Sequence, residues 1–217
     1  MPATLDFQQI LANPTETYEE GLRFFRGEGL MNQTLKQLAA DLDARGIDYA
    51  VIGAVALNQH GYKRFTSDID ILLTPEGLER FRAELVGRGY RPAFEGARKK
   101  FRATRENVPL EIITSGEFPG DGRPKAIAFP DPARVAVEID GVKTVNLEKL
   151  IELKLASGAS GLGRRRDLGD VQELIRVLNL DSEFAEKIDD SVRPLYLELW
   201  DELQRAREQT QAPDADL

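Results

Sequence analysis

The sequence predicts an α+β fold in which a mixed β-sheet is flanked by helices and followed by a helical C-terminal half. Up to residue 146, short apolar runs bounded by Gly, Pro or Asp are typical of strands and alternate with helical patterns. Beyond that point, apolar residues recur at helical spacing. The 217 residues amount to about 1.4 domains of 150 residues, which favours one domain with an appendage.

We therefore expect an α/β core with two leading helices (1–146), a helical C-terminal region (147–208) and a disordered tail (209–217). The second leading helix ends at Gly46, a favourable C-terminal residue. The run SDIDILL ends at a proline and reads as a strand, and Asp140-Gly141 is typical of a hairpin turn. The predicted helices are 15–25, 32–45, 54–60, 76–87, 147–156, 167–178, 182–188 and 194–207; the predicted strands are 48–53, 67–73, 90–95, 100–105, 109–114, 135–139 and 142–145.

Composition excludes several classes of protein. Apolar residues make up 41% and charged residues 30%, which is too polar for a fibre or an integral membrane protein. No apolar run approaches the ~20 residues that cross a bilayer, and no secretory signal is recognisable, so we expect no membrane partner and a cytoplasmic location. The net charge of -8 argues against a general basic surface for nucleic acid, although local basic patches remain.

The chain contains no cysteine and a single histidine, His60. Disulfides, thiolate zinc sites and cysteine nucleophiles are therefore excluded, and a histidine-rich metal site cannot form within one chain. A serine-histidine-aspartate triad would depend on His60. We expect any chemistry to use carboxylates, arginines, lysines and a metal bound through oxygen.

Two carboxylates share a predicted strand. Asp68 and Asp70 are two residues apart, so the strand period places both on one face. Adjacent like charges are unfavourable unless a cation neutralises them, and Mg²⁺ (or Mn²⁺) prefers such oxygen ligands. Glu111, in the run PLEIIT, supplies a third carboxylate. Three carboxylates can hold two ions about 3.5–4 Å apart, which would orient a nucleoside triphosphate for in-line displacement.

A small-residue turn lies upstream of these acids. Gly53 and Ala54 join the first predicted strand to a helix, where free backbone N–H groups can bind phosphate. Small side chains there permit close approach of a ligand.

Two stretches resemble known families. The stretch IGAVALNQHGYKRFTSDIDILL resembles the signature of the nucleotidyltransferase (polymerase beta-like) superfamily. The run LIELKLASGASGLGRRRDLGDVQELI resembles the lysine helix and RxKDxxD element of AbiEii-type toxins and minimal nucleotidyltransferases. The resemblance spans roughly 47–178 and implies a nucleotidyltransferase-like mixed sheet. It also implies transfer of a nucleoside monophosphate from a triphosphate to an acceptor hydroxyl.

The resemblance implies roles for individual residues. Asp68, Asp70 and Glu111 would be the catalytic residues and metal ligands, with Glu111 as the base. The family usually has Gly-Gly, Gly-Ser or Gly-Thr where this chain has Gly53-Ala54, so phosphate contact there would come from the backbone alone. The candidate nucleotide-binding residues are Gly53, Ala54, Arg64, Thr66, Ser67, Lys154, Arg164, Arg166 (in the place of the motif's lysine), Asp167 and Asp170.

Purely structural explanations stay open for Asp68, Asp70, Glu111 and Arg64. The acidic pair is compatible with an exposed sheet edge, and Glu106 and Glu117 flank the same region as Glu111. Arg64 is equally compatible with a surface ion pair.

Purely structural explanations also stay open for Lys154, for Asp167, for the loop 115–132 and for a cluster of basic residues. Lys154 is compatible with a lysine that snorkels to solvent, and Asp167 with a helix cap. The loop 115–132 suits either a substrate lid or a surface excursion. A basic cluster consists of Arg98, Lys99, Lys100, Arg102 and Arg105. It is compatible with a positively charged groove for the acceptor or with a solvated, charged edge strand.

The sequence thus predicts a magnesium-dependent nucleotidyltransferase. The resemblance to AbiEii-type proteins implies RNA, protein or a small molecule as the acceptor, and a bacterial toxin with an antitoxin partner, or phage defence, as the setting. One alternative is a catalytically silent module that binds a nucleotide or a partner, which Ala54 motivates. Another is an antitoxin-like modifier of a co-encoded toxin.

Overall fold

A computed structural model of the protein describes residues 6–211. The chain divides into two compact units. The first comprises 6–59, 63–117 and 129–146, and the second comprises 60–62, 118–128 and 147–211. Of the predicted disordered tail, 209–211 form the end of a helix and 212–217 lie outside the described residues.

The first unit holds a seven-stranded sheet with helices α1 to α6. Its helices are α1 (Phe7–Ala12), α2 (Pro14–Phe25), α3 (Leu30–Asp43), α4 (Gly53–Gln59), α5 (Pro75–Glu84) and α6 (Pro132–Val135). Its strands are β1 (Tyr49–Ile52), β2 (Ile69–Leu73), β3 (Tyr90–Pro92), β4 (Lys100–Ala103), β5 (Pro109–Thr114), β6 (Ala136–Ile139) and β7 (Val142–Val145).

The sheet is mixed, with the strand order β3-β4-β5-β2-β1-β7-β6. Strands β2 and β5 are parallel, as are β1 and β7, and the remaining pairs are antiparallel. Parallel neighbours need long crossovers, so β2 and β5 come together from segments that are far apart in the chain. This pairing, in the centre of the sheet, brings the candidate acidic residues onto adjacent strands.

Turn and cap residues explain where these elements begin and end. Asn13 caps α2 through its side-chain oxygen, with Pro14 at the first helical position. Thr74 caps α5 in the same way, before Pro75. In the β6–β7 hairpin, the turn at Asp140-Gly141 has φ values of +52° and +76°, as a tight primed turn requires.

The two faces of the central strands differ in chemistry. Ile69 and Ile71 of β2 are fully buried in the core cluster beneath α3 and α5, as are Leu110 and Ile112 of β5. Since side chains alternate along a strand, Asp70 on β2 projects from the opposite face. Burial of the apolar set therefore fixes which face carries the acid.

The second unit is helical. It contains α7 (Leu147–Gly158), α8 (Arg165–Leu178), α9 (Arg193–Gln211) and two short 3₁₀ segments, 162–164 and 182–187. Val171 and Leu174 of α8 are fully buried, and the indole N–H of Trp200 on α9 donates to the Leu180 carbonyl over 3.1 Å. Among residues 6–211, no helix has the length and apolar character needed to span a bilayer.

The predicted α+β fold is confirmed, with a few local differences. Strand β2 begins at Ile69, because Ser67 and Asp68 form a bend before it. Residues 182–187 form a 3₁₀ helix rather than an α-helix. The short helices α1 and α6 were not predicted, since neither is long enough to show a helical period.

Candidate functional site

Gly53 and Asp70 are packed against each other at the junction of β1 and α4. Ile52, the last residue of β1, is paired with Asp70 of β2. A Cβ placed on Gly53 would lie 2.2 Å from Oδ2 of Asp70, and Gly53 has φ of +66°. Both the backbone conformation and the close approach of the carboxylate therefore require glycine here.

Asp70 and Glu111 are neighbours across the parallel strands. They are register partners between β2 and β5, so their side chains project from the same sheet face. Glu111 is also paired with Lys100 on β4, whose Nζ lies 3.5 Å from Oε2 of Glu111. Both side chains of this ion pair are about half exposed (57% and 42%), which leaves the Glu111 carboxylate accessible.

Asp68 lies in the bend immediately before β2, next to Ser67, which is exposed. The buried Thr66 donates a hydrogen bond from Oγ1 to Oδ1 of Asp68 over 2.8 Å. The prediction that strand alternation places Asp68 is therefore wrong, because Asp68 lies outside the strand. Its carboxylate is held instead by the hydrogen bond from Thr66.

These residues have the donor chemistry for a hard divalent cation. Asp68, Asp70 and Glu111 supply only carboxylate oxygens, and Gly53 leaves room for the Asp70 carboxylate beside the end of β1. Within the described part of the chain, no three acidic or histidine side chains already form a metal-binding group. Binding a metal there would require the carboxylates to turn toward one another, with Glu111 leaving Lys100.

Asn58 supports the segment that leads into the acidic pair. It is buried on α4, and its amide donates to the carbonyls of Ala54 (2.8 Å) and Arg64 (2.6 Å), while its Oδ1 accepts from the Arg64 N–H (2.8 Å). The backbone of Arg64 is therefore held close to the helix that begins at Gly53. A lone asparagine in the apolar run AVALNQ is the sequence signal that could have identified this residue.

Cations continue the same sheet face on the side of β4. Lys100 and Arg102 are two residues apart on β4, and Arg102 is paired with Arg91 on the edge strand β3. Because Lys100 is opposite Glu111, all three cations project from the face that carries the acids. The predicted basic cluster thus contributes Lys100 and Arg102 to this face.

The two acids that competed with Glu111 have different surroundings. Glu117 accepts from Lys99 and from the Thr114 N–H. Burial would raise the pKa of Glu117, but the hydrogen bonds from Lys99 and Thr114 hold it below its usual value. Glu106 lies in the turn after β4, beside Arg105 at 3.6 Å. Neither is the register partner of Asp70.

In the second unit, Lys154 of α7 is held between two carboxylates of α8. Its Nζ lies 2.8 Å from Oδ1 of Asp167 and 2.6 Å from Oδ2 of Asp170, and Asp170 is only 3% exposed. Ser157 donates to the other Asp167 oxygen over 2.7 Å. The suggested alternatives are not observed: Lys154 is 11% exposed rather than directed to solvent, and the N-cap of α8 is Arg164, not Asp167.

This arrangement keeps Asp167 ionised. Burial would raise the pKa of Asp167, but the charge and hydrogen bond of Lys154, with smaller contributions from Ser157 and Arg164, hold it below its usual value. Arg164 and Arg166 are exposed, and Arg164 donates to the Gly120 carbonyl over 3.2 Å. Of the predicted second-unit residues, three therefore form one buried cluster and two arginines lie at the surface.

A glycine substitution tests the packing of Gly53 against Asp70. Gly53→Ala is expected to lower the free energy of unfolding by roughly 1–3 kcal/mol more than Gly46→Ala does. Gly46 has a similar φ of +57°, but a Cβ there would meet nothing within 4 Å, so it matches the backbone cost without the overlap. Urea unfolding followed by far-ultraviolet circular dichroism measures both variants; equal losses would contradict the close approach of Asp70.

Comparison with solved structures identifies the fold. An antigenic nucleotidyltransferase-like protein from Paracoccidioides brasiliensis superposes with a TM-score of 0.52 over 85% of this chain and 92% of its own, at 18% identity. The chain has a nucleotidyltransferase-like fold. ANT(2″)-Ia, crystallised with adenylyl-2″-tobramycin, gives a TM-score of 0.46 at 17% identity, over 74% of this chain and 93% of its own.

Sequence comparisons gave no further assignment. No protein-family profile matches the chain, and no curated protein matches it with significance. The predicted nucleotidyltransferase-like sheet is thus confirmed by the fold, whereas the resemblance to AbiEii-type toxins stays a prediction from the sequence motifs.

Proposed function

We propose that this protein is a nucleotidyltransferase that moves a nucleoside monophosphate from a triphosphate to an acceptor hydroxyl. The observation that carries the proposal is the meeting of Asp70 with Gly53 on one side and Glu111 on the other, on one sheet face. Asp68 would join them in holding Mg²⁺ (or Mn²⁺). When bound, the metal would orient the triphosphate and offset the charge that develops on the pyrophosphate.

The reaction needs a base and a route for the leaving group. Glu111 would take the proton from the acceptor hydroxyl, whose oxygen forms the new bond to the α-phosphorus as the bond to the pyrophosphate oxygen breaks. Gly53 and Ala54 would offer backbone N–H groups to the phosphates, with Thr66 and Ser67 beside them. Lys100, on the same face, would neutralise negative charge on either substrate.

We further propose that this nucleotidyltransferase acts as a toxin. It is supported by the second motif, in which Lys154, Asp167 and Asp170 form a buried cluster in the helical unit. Such a cluster would hold α7 and α8 in a fixed arrangement, with Arg164 and Arg166 exposed for nucleotide or acceptor contacts. A co-encoded antitoxin that copurifies with the chain is the partner this role requires, and RNA, protein or a small molecule would be the acceptor.

Calorimetric titration tests the function directly. Each nucleoside triphosphate, with magnesium, is titrated into the wild type and into Asp68→Asn with Asp70→Asn. We expect saturable, metal-dependent binding in the wild type, weakened at least tenfold in the double variant, because the amides cannot neutralise a divalent ion. Absence of binding to the wild type would reject the proposal in favour of a silent interaction module. Equal binding to both proteins would reject the acidic site.

A further inference from the structure

A cavity in the first unit is lined in part by residues of the hydrophobic core. It has a volume of about 570 Å³, within the usual range of small-molecule sites. Its floor consists of Met31, Leu35 and Val55, which belong to the same core cluster as Ile69 and Ile71. Asp70 projects from the opposite sheet face, and the cavity lining includes none of the candidate metal ligands.

The rim of this cavity is basic although the protein is acidic. Arg26, Lys36 and Lys63 line it, and Asp140 is the single acidic residue among the described residues of the lining. All three cations have exposed side chains. Because the chain carries a net charge of -8, this local excess of positive charge would draw an anion to this rim.

The walls suit a ligand with an apolar body. Phe25 is 45% exposed at the end of α2 and continues the buried Phe24 into the lining. Asn32 on α3 adds an amide oxygen that is shielded from water and has no hydrogen-bond partner among the described residues. Such an unsatisfied acceptor is costly, and a ligand N–H or O–H reaching the amide would relieve that cost.

We infer that this cavity is a binding site for a small amphipathic anion: an aromatic or aliphatic body that enters between α2, α3 and α4, with a phosphate, sulfonate or carboxylate held by the rim cations. The site is separate from the proposed active site and does not depend on the proposed function. Its connection to that function is α4, which begins at Gly53 against Asp70 and contributes Val55 and Gln59 to the cavity.

Matched probes test the inference. The anionic probe is 8-anilinonaphthalene-1-sulfonate, and the control is N-phenyl-1-naphthylamine, which has the same aromatic body without the charge. Fluorescence titration of the native wild type should give one saturable site for the sulfonate and weaker binding of the neutral amine. Equal affinity for both probes, or no saturable binding of the sulfonate, would overturn the inference.

Matched variants locate the site. Lys36→Gln with Lys63→Gln should weaken sulfonate binding roughly tenfold and leave binding of the neutral amine unchanged. Arg134→Gln with Lys187→Gln removes the same charge from exposed positions outside the lining and should change neither. Asp68→Asn with Asp70→Asn should also retain sulfonate binding. Loss of binding in either of these last two proteins, or its retention after the rim substitutions, would refute the assignment.

Discussion

Glu111→Gln is expected to slow the release of pyrophosphate by a factor of about 100 or more, the usual contribution of a general base. The amide has nearly the shape of the carboxylate, but it neither accepts a proton from the acceptor hydroxyl nor carries charge for a metal. A coupled pyrophosphate assay with magnesium and the preferred triphosphate measures the rate. Folding should change little, because Glu111 is 42% exposed at the surface of the sheet.

Glu138→Gln is the matched control. Glu138 is an exposed strand residue on β6 that is paired with Lys143 on β7, just as Glu111 is paired with Lys100. Glu138→Gln therefore also removes a strand carboxylate that lies opposite a lysine, but this carboxylate is not next to Asp70. Full activity in Glu111→Gln would exclude it as the base, and comparable loss in both variants would indicate a general effect of charge.

Lys154→Met is expected to lower the free energy of unfolding of the helical unit by about 3–5 kcal/mol, since it leaves buried carboxylates without a cation. Asp170 is 3% exposed and Asp167 18%, so water cannot replace the lysine at low cost. Trp200, the only tryptophan, lies on α9 of the same unit, so urea unfolding followed by its fluorescence reports on this region. Arg176→Met is the control, because it removes a cation of α8 from an exposed pair and should cost less than about 1 kcal/mol.

The pH dependence of this effect follows from Asp167. The pKa of Asp167 is lowered in the folded protein, so its ionised form stabilises the fold fully above the unfolded value of about 3.9. This stabilisation is lost as the pH falls through the lower folded pKa. The difference between wild type and Lys154→Met should therefore shrink in that acidic range. A difference that stayed constant down to pH 2, or one no larger than that of Arg176→Met at pH 7, would contradict the role of the cluster.

The sequence predicted the local elements well because their signals are local. The Asp140-Gly141 turn and the apolar alternation of PLEIIT determine the hairpin and β5 directly. The pairing of Asp70 with Glu111 is different, because it depends on a parallel contact between strands about 40 residues apart. Sequence reasoning favoured Glu111 because it lies within the apolar run PLEIIT, and the strand register then shows that Glu111, rather than Glu106 or Glu117, is the partner of Asp70.

The remaining differences come from side-chain contacts that have no periodic signal. Thr66, rather than strand alternation, fixes Asp68 in a bend. Lys154 on α7 is paired with Asp167 and Asp170, which follow it after a loop, on α8. The helical pattern around Lys154, taken by itself, does not reveal these partners and was compatible with a side chain directed to solvent. Asn58 was missed because a single amide in an apolar helix does not reveal which backbone groups it will bind.

Because side chains alternate between the two faces along β2 and β5, the position of Glu111 beside Asp70 depends on the correct register of these strands. If β5 slipped by one residue against β2, Glu111 would enter the apolar core, and Leu110 or Ile112 would face solvent. Such a mispaired chain would lose much of its hydrophobic stabilisation together with its base, so it would be removed as a misfolded protein. Insertions or deletions of one residue inside β5 should therefore be selected against.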